Sequence, residues 1–208
     1  MTKRWIAVLM MIALLLVGCA DDKVEQNKAD LYYDENPPQL AQEVVEYYDS
    51  LGITEDVRKN AEAVYGTYMI NEDKEVMLRL PEYWEKLFVI QGNGGIGVYE
   101  KSNYDLSDGT MGYLWGIIVD THEEFEWYFE SEYYKDPYAE ILGANSAVIG
   151  TDDEYVYILT LPTDVQFDLE AEHAQEYYKA AMDNKEKFIA DFLEVNNITV
   201  NEKAPSLN

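Results

Sequence analysis

Residues 16–19 have types and an order that predict a covalent modification. Their sequence, Leu-Val-Gly-Cys, matches a bacterial lipobox, in which apolar and small residues precede a cysteine whose thiol is lipidated. Cys19 is the only cysteine in the chain, so an intrachain disulfide is excluded. A cysteine that carries two or three acyl chains meets the requirement for stable membrane attachment. We therefore predict that Cys19 is lipidated and anchors the mature chain.

The residues before Cys19 support this prediction. Lys3 and Arg4 precede an apolar run from Trp5 to Val17, which is shorter than the roughly 20 residues of a membrane-spanning helix. Residues 1–18 are therefore predicted to be a lipoprotein signal peptide. The mature protein is then extracytoplasmic and anchored to the cell membrane. The alternative is an ordinary secretory signal with an incidental cysteine.

Carboxylates are the most numerous ionisable groups. The chain has 41 acidic and 15 basic residues and a formal net charge of −26, which becomes −28 when Lys3 and Arg4 leave with the signal. Such a chain repels phosphate backbones, so we exclude nucleic acid as a partner. Solubility in a cation-rich envelope explains the charge better than a specific cationic ligand does.

Paired carboxylates could also perform chemistry, because two of them in one cleft can cleave a glycosidic bond. The acidic residues that could converge are Glu123, Glu124, Asp152, Asp153 and Asp164. A chain with 41 acids offers many such pairs by chance. A cell-wall glycoside hydrolase is therefore an alternative function rather than the leading one.

Other motifs predict neither a metal site nor a cofactor. His122 and His173 each lie near a predicted helix start, and neither has a second histidine at metal-ligand spacing. Residues 92–97 match the spacing of a dinucleotide-binding glycine loop, but a strand rather than a helix follows them. Residues 105–116 lack the glycine at the sixth position and the glutamate at the twelfth position that a calcium-binding loop requires. We interpret both segments as turns.

The 18 tyrosines and four tryptophans mostly occupy apolar positions of helices and strands, so they belong to the core by default. Neighbouring tyrosines are the exception, because both members cannot be buried equally. One member of each pair should lie near the surface, where tyrosine serves recognition. The pairs are Tyr47-Tyr48, Tyr133-Tyr134 and Tyr177-Tyr178.

The elements that position these residues begin with a tether. Residues 19–37 are acidic and without period, which predicts a disordered segment. Residues 38–70 are predicted to form a helical lead-in: one helix ends at Gly52, and a second is capped by Thr54. The apolar residues of the second helix are Val57, Ala61, Val64, Tyr65 and Tyr68.

Residues 71–195 are predicted to form an α+β globular domain, followed by a disordered tail at 196–208. Thr121 and Glu124 form a capping box for one helix, and a long helix closes the domain. Period-two alternation predicts strands at 75–80, 86–91, 96–102, 111–119, 138–142, 146–150 and 154–161.

Two of these strands decide the predicted architecture. Residues 113–119 and 155–161 are apolar on both faces, as expected when helices cover a sheet on two sides. Short turns make most strand pairs antiparallel. We predict a single domain with a mainly antiparallel, meandering sheet of about six or seven strands between helices.

The loop at 162–168 leaves one of these buried strands and leads to the last helix. Thr163, Asp164 and Gln166 could satisfy backbone groups freed at the ends of these elements, which is the structural interpretation we favour. The alternative is that they form a ligand-facing rim, since loops at sheet ends often carry sites.

Several segments together resemble a group of uncharacterised envelope lipoproteins from Gram-positive anaerobes. Besides the lipobox they are Leu-Pro-Glu-Tyr-Trp at 80–84, Val-Tyr-Glu-Lys at 98–101, Gly-Tyr-Leu-Trp at 112–115 and Pro-Thr-Asp-Val-Gln at 162–166. The resemblance implies a membrane-anchored extracytoplasmic domain and assigns no catalytic residue. The Leu-Pro-x-x-Trp opening, the strands and the long C-terminal helix are also similar to the Mog1/PsbP-like sandwich.

These observations predict a lipid-anchored extracytoplasmic binding or interaction module with no catalysis of its own. Its partner would be an envelope protein or a wall glycan, and we expect a monomer. Besides the glycoside hydrolase, an accessory lipoprotein of a transporter remains an alternative.

Overall fold

The computed structural model describes residues 39–70, 74–92, 94–129, 133–143 and 145–207. The predicted signal peptide, Cys19 and the tether at 19–37 lie outside these residues. The helices are α1 (Gln42–Ser50), α2 (Glu55–Asn60), α3 (Trp84–Leu87), α4 (Lys101–Leu106), α5 (His122–Phe129), α6 (Ala174–Met182) and α7 (Lys185–Val195). The strands are β1 (Ala63–Met69), β2 (Glu75–Pro81), β3 (Phe88–Gly92), β4 (Gly95–Glu100), β5 (Tyr113–Thr121), β6 (Ser146–Thr151), β7 (Tyr155–Thr160) and β8 (Thr199–Val200).

The main sheet has six strands in the order β3-β4-β5-β7-β6-β8, and every pair is antiparallel. The hairpin of β1 and β2 forms a separate two-stranded sheet. The predicted α+β architecture with a mainly antiparallel sheet is confirmed. β7 is buried along almost its whole length, as its two-sided apolar sequence predicts. The same prediction is wrong for part of β5, because Ile118 on its outer face is exposed.

The inner face of the sheet carries the main core. Trp115 of β5 and Tyr157 of β7 are fully buried there, and Phe188 and Phe192 of α7 pack on these rings. Each fully buried ring of this size stabilises the fold by about 1.5–3 kcal/mol. The helix and the sheet are therefore held together mainly by aromatic packing.

The outer face is covered over only part of its width. Phe125 of α5 and Leu142 pack on Val148, Val156 and Ile158, which belong to β6 and β7. Ile118 points to the same face from β5 and is 40% exposed. Among the described residues, no helix packs on the outer face of β3, β4 and β5 as α5 does on β6 and β7.

The helical lead-in was predicted wrongly beyond Asn60. Ala63–Met69 is a strand that pairs with β2 along its whole length, from Ala63 opposite Pro81 to Met69 opposite Glu75. Apolar residues at helical spacing favoured a helix, but Gly66 weakens a helix, and aromatic and β-branched neighbours suit a strand. Backbone pairing with β2 therefore decides the conformation.

Three further predictions differ from the structure. Residues 138–142 form turns, with only a bridge from Leu142 to Ser146 in place of a strand. The closing helix is divided into α6 and α7 at Asp183 and Asn184. Residues 101 and 102 begin α4 because the Glu100 side chain accepts hydrogen bonds from the backbone N–H groups of Ser102 and Asn103.

The predicted disordered tail is also wrong for the described residues up to 207. Ile198 and Leu207 are buried in the main core, and β8 adds an edge strand beside β6. The Asn201 side chain donates hydrogen bonds to the carbonyl oxygens of Tyr138 and Val148. These contacts fix the C-terminal segment against the sheet.

Within the described residues, the helices are all too short or too polar to cross a membrane.

Candidate binding surface

The accessible half of the outer face contains a trough of about 410 Å³. Its floor is formed by β4 and β5, where Gly97 lies directly opposite Gly116 and Gly95 lies opposite Ile118. Tyr99, Tyr113, Gln91 and Thr160 line its sides. We call this cavity the tyrosine trough.

Tyrosine rings occupy the space above the glycines. A Cβ atom at Gly116 would lie 2.5 Å from the Tyr113 hydroxyl and 2.9 Å from the carbonyl oxygen of Ile96. A Cβ atom at Gly97 would lie 3.0 Å from the ring of Tyr99. Larger residues at either position would displace a ring, so glycine lets the two tyrosines lie close to the sheet.

The tyrosine rings form a row that runs from Tyr104 of α4 through Tyr99 of β4 to Tyr113 of β5. The centroid of Tyr99 is 5.2 Å from that of Tyr104 and 5.4 Å from that of Tyr113. Tilted and edge-to-face arrangements at such distances are favourable for aromatic pairs. The row is therefore a preformed aromatic surface.

Neutral hydrogen bonds hold the ends of this row. The hydroxyl of Tyr113 lies 2.5 Å from Oγ1 of Thr160, and Nε2 of Gln91 donates to the hydroxyl of Tyr104 at 2.6 Å. The hydroxyl of Tyr178 donates to the backbone oxygen of Tyr113. Burial raises the pKa of Tyr99 and of Tyr113, so both hydroxyls stay protonated at neutral pH.

No charged residue is among the described residues that line the trough. A lining without charged residues is unusual for a chain in which 27% of the residues are charged. The described lining of the trough therefore offers aromatic faces, hydroxyl groups and one side-chain amide.

The sequence-predicted rim residues lie beside one end of the trough but do not line it. The backbone N–H of Gly112, next to Tyr113, donates to the backbone oxygen of Gln166 at 2.7 Å. Thr163 and Asp164 are exposed, and among the described residues neither side chain, nor that of Gln166, makes a hydrogen bond. The segment is thus a connector, but its backbone rather than its polar side chains makes the contact.

Two of the five candidate catalytic carboxylates have separate structural partners, and the other three, Glu123, Asp153 and Asp164, are exposed. Glu124 accepts hydrogen bonds from the backbone and side chain of Thr121, as the capping box predicts. Asp152 binds Lys74 at 3.0 Å and accepts a hydrogen bond from Tyr157 at 2.6 Å. Asp120, which the sequence did not single out, has a pKa raised by burial and by nearby Glu124. The described residues that line the trough include none of Lys74, Asp120, Glu124 and Asp152.

The remaining motifs behave as turns and surface residues. Nε2 of His122 lies 2.9 Å from the backbone oxygen of Asp152, and His173 lies at the start of α6 with positive φ. In the described part of the chain, no group of three or more potential ligands could hold a metal. Gly94 lies between β3 and β4 with positive φ, Gly95 is the first residue of β4, and residues 107–109 form a turn after α4.

A second cavity of about 370 Å³ lies between the β1–β2 hairpin and β3. Val64 and Tyr68 form one side, Val89 and Ile90 form the other, and Trp84 is part of the lining. The two sides meet where the backbone N–H of Gly94 donates to the oxygen of Ile70. We call this cavity the hairpin slot; it is largely apolar.

The sequence analysis did not select the residues of the trough. A signal was nevertheless present, since Gly95 and Gly97 alternate at period two and predict one bare face of a strand. The partner glycine on β5 could not be matched to them without the strand register. Of the tyrosine pairs, Tyr133 is 89% exposed beside partly buried Tyr134, as predicted.

Comparison with known proteins gives no further constraint on this site. No protein-family model, curated protein or solved structure matches the chain.

Proposed function

We propose that this chain is a lipid-anchored extracytoplasmic binding module without catalysis of its own, and that its ligand binds in the tyrosine trough. The observation that carries the proposal is the trough itself: a cavity of about 410 Å³ on an uncovered half of a sheet, bordered by ordered tyrosines. Pockets of about this size and chemistry are typical of ligand sites.

The proposed anchor rests on the sequence, since Cys19 precedes the described residues. It agrees with the resemblance to envelope lipoproteins from Gram-positive bacteria. A lipid on Cys19 followed by the polar segment at 19–37 would keep the domain near the membrane while leaving the trough accessible. The partner under this proposal is a component of the envelope.

The experiment is a capture of envelope components on the mature chain with Cys19 replaced by alanine. Tyr99→Ala removes a central ring of the trough, and Tyr128→Ala removes a ring of α5 that is 69% exposed. We expect Tyr99→Ala to lose the captured component and Tyr128→Ala to keep it. Equal capture by both variants would place binding elsewhere.

Each of the two alternative functions predicts a distinct result, one in the capture experiment and one in an assay with purified wall glycan. Recovery of a permease with the wild-type chain would favour an accessory lipoprotein of a transporter. Release of soluble fragments from purified wall glycan would favour the hydrolase. The disposition of Glu124 and Asp152, each tied to a structural partner, gives the hydrolase no specific support.

A further inference from the structure

We infer that the tyrosine trough takes a neutral saccharide, one or two pyranose rings of a glycan chain. This inference rests on the proposed function, because it names the ligand class of the same site. It depends on three properties of the trough. Aromatic rings form its surface, its polar groups are uncharged, and the backbone groups of β4 and β5 are already hydrogen-bonded within the sheet.

The rings of Tyr99 and Tyr113 provide the surface for a flat ligand. They lie directly over Gly97 and Gly116, whose missing side chains let both rings lie close to the sheet. A pyranose ring with equatorial substituents presents a flat face of C–H groups. This C–H face packs on an aromatic ring as other apolar groups do. The hydroxyl groups around the edge of the sugar ring then remain free for hydrogen bonds.

The polar groups at the sides match hydroxyl groups. Thr160 and the tyrosines can each donate and accept a hydrogen bond, and the Gln91 amide can do both through separate atoms. Because the lining is neutral, it offers no counter-ion to a charged ligand. The net charge of −26 would also repel an anionic ligand.

A peptide fits this surface less well. An extended peptide is usually recognised by adding a strand to a free sheet edge. β4 and β5 are each paired on both sides, so their backbone groups at the trough are already used. The edge strand on this side of the sheet is β3, which contributes only Gln91 to the lining. A folded protein partner usually contacts about 20–30 residues on each side, whereas 11 described residues line the trough.

The test is a titration of the mature chain, with Cys19 replaced by alanine, with the neutral tetrasaccharide of β-1,4-linked N-acetylglucosamine. Binding is followed by calorimetry and by amide chemical shifts. We expect saturable binding that is insensitive to salt, since no charges are paired. Tyr99→Ala should weaken it about tenfold, equivalent to ~1.4 kcal/mol. Thermal unfolding confirms that each variant is folded.

Two control variants sharpen the result. Tyr99→Phe keeps the ring and removes only the hydroxyl, so it should retain binding within about threefold. Tyr128→Ala lies outside the trough and should bind as the wild type does. Equal saccharide binding by Tyr99→Ala and the wild type would overturn the inference, and so would binding that disappears in salt.

The outcome also separates this inference from the proposed function. If the saccharide does not bind while Tyr99→Ala still abolishes capture of an envelope protein, the ligand class is wrong and the binding module stands. If Tyr99→Ala affects neither experiment, both proposals fail.

Discussion

At the residue scale, the polar groups of this chain are mostly occupied with structure. Asp152 shows this best, because Lys74, Tyr157 and the backbone N–H groups of Glu154 and Tyr155 all bind its carboxylate. Lys74 also lies over the ring of Tyr155 at 4.6 Å. This cluster ties the turn between β6 and β7 to the start of β2. An acidic composition therefore does not by itself indicate catalysis.

The cluster predicts an acid-sensitive contribution to stability. Burial opposes ionisation of Asp152, but hydrogen bonds, chiefly from Tyr157, lower its pKa from 3.8 to about 2. Since the folded pKa lies below the unfolded one, the stabilisation is present above about pH 4 and is lost as the pH falls toward about 2. Asp152→Asn should therefore cost roughly 1–2 kcal/mol at pH 7, allowing for solvent screening.

Urea unfolding of Asp152→Asn at pH 7 and at about pH 2.5 checks this prediction. The difference from the wild type should shrink at the lower pH. Asp153→Asn is the matched control, because Asp153 is exposed, and it should unfold as the wild type does at both pH values. A cost for Asp152→Asn that does not change with pH would contradict the assigned pKa.

The loop at 162–168 gives a second prediction at this scale. The sequence suggested that Asp164→Ala lowers thermal stability through a lost hydrogen bond. Because Asp164 is exposed and the backbone of Gln166 makes the contact, we now expect a change within about 0.5 kcal/mol. Thermal unfolding measures it, and a loss above 1 kcal/mol, roughly one hydrogen bond, would restore the first interpretation.

At the element scale, the β1–β2 hairpin depends on α7 for its position. Nε of Arg79 on β2 donates to Asp191 of α7 at 2.8 Å, and Asp191 is 1% exposed. Asn196 adds a contact, since its side chain binds both the N–H and the oxygen of Met77. The hairpin shares no strand with the main sheet, so these side-chain contacts help to orient it.

Arg79→Met should therefore destabilise the protein by about 3–5 kcal/mol at pH 7, because it leaves the Asp191 carboxylate buried without its partner. Burial already raises the pKa of Asp191 despite the nearby guanidinium. Removing Arg79 should raise that pKa further, so the loss measured near pH 4 should be smaller than at pH 7, because a protonated Asp191 costs less to bury than a carboxylate. Urea unfolding at the two pH values measures both effects.

Two matched variants accompany Arg79→Met. The double variant Arg79→Met with Asp191→Leu should recover most of the stability, since it removes the unpaired charge. Glu194→Gln removes the other partner of Arg79, whose side chain is 65% exposed, and should cost less than about 1 kcal/mol. A double variant as unstable as the single one would indicate that packing rather than charge is responsible.

At the scale of the whole molecule, the fold leaves one side of the sheet unevenly covered. α6 and α7 close the inner face, whereas α5 and residues 133–142 cover the outer face over β6 and β7. The uncovered part over β4 and β5 holds the tyrosine trough. Proposed attachment through Cys19 would place this accessible face outside the cytoplasm, where an envelope ligand can reach it.

Cys19→Ala tests the attachment. The variant should partition into the soluble fraction, because the lipid is the only strong membrane contact that the sequence predicts after signal cleavage. Fractionation of cells that express the full chain measures this, and Tyr128→Ala is a control that should stay with the membrane. Membrane retention of a cleaved Cys19→Ala variant would contradict the lipoprotein proposal.

The sequence by itself determined the class of fold and the central elements. Two-sided apolar runs identified β5 and β7 as buried strands, and the spacing of Thr121 and Glu124 identified the start of α5, because both signals are local. A short segment that is apolar on both faces has few conformations other than a strand in the interior of a sheet. The lipobox was equally local, and it remains a prediction.

Only the tertiary structure decided the conformation of Ala63–Met69 and the position of the trough. The apolar spacing beyond Asn60 predicted a helix, but residues 63–69 pair with β2, which lies several residues further along the chain. Gly97 and Gly116 meet only because β4 and β5 pair in one particular register, and a shift of either strand by one residue would turn the glycine position of that strand to the core. Register depends on packing between distant residues, so local spacing could not reveal that these glycines and tyrosines share one surface.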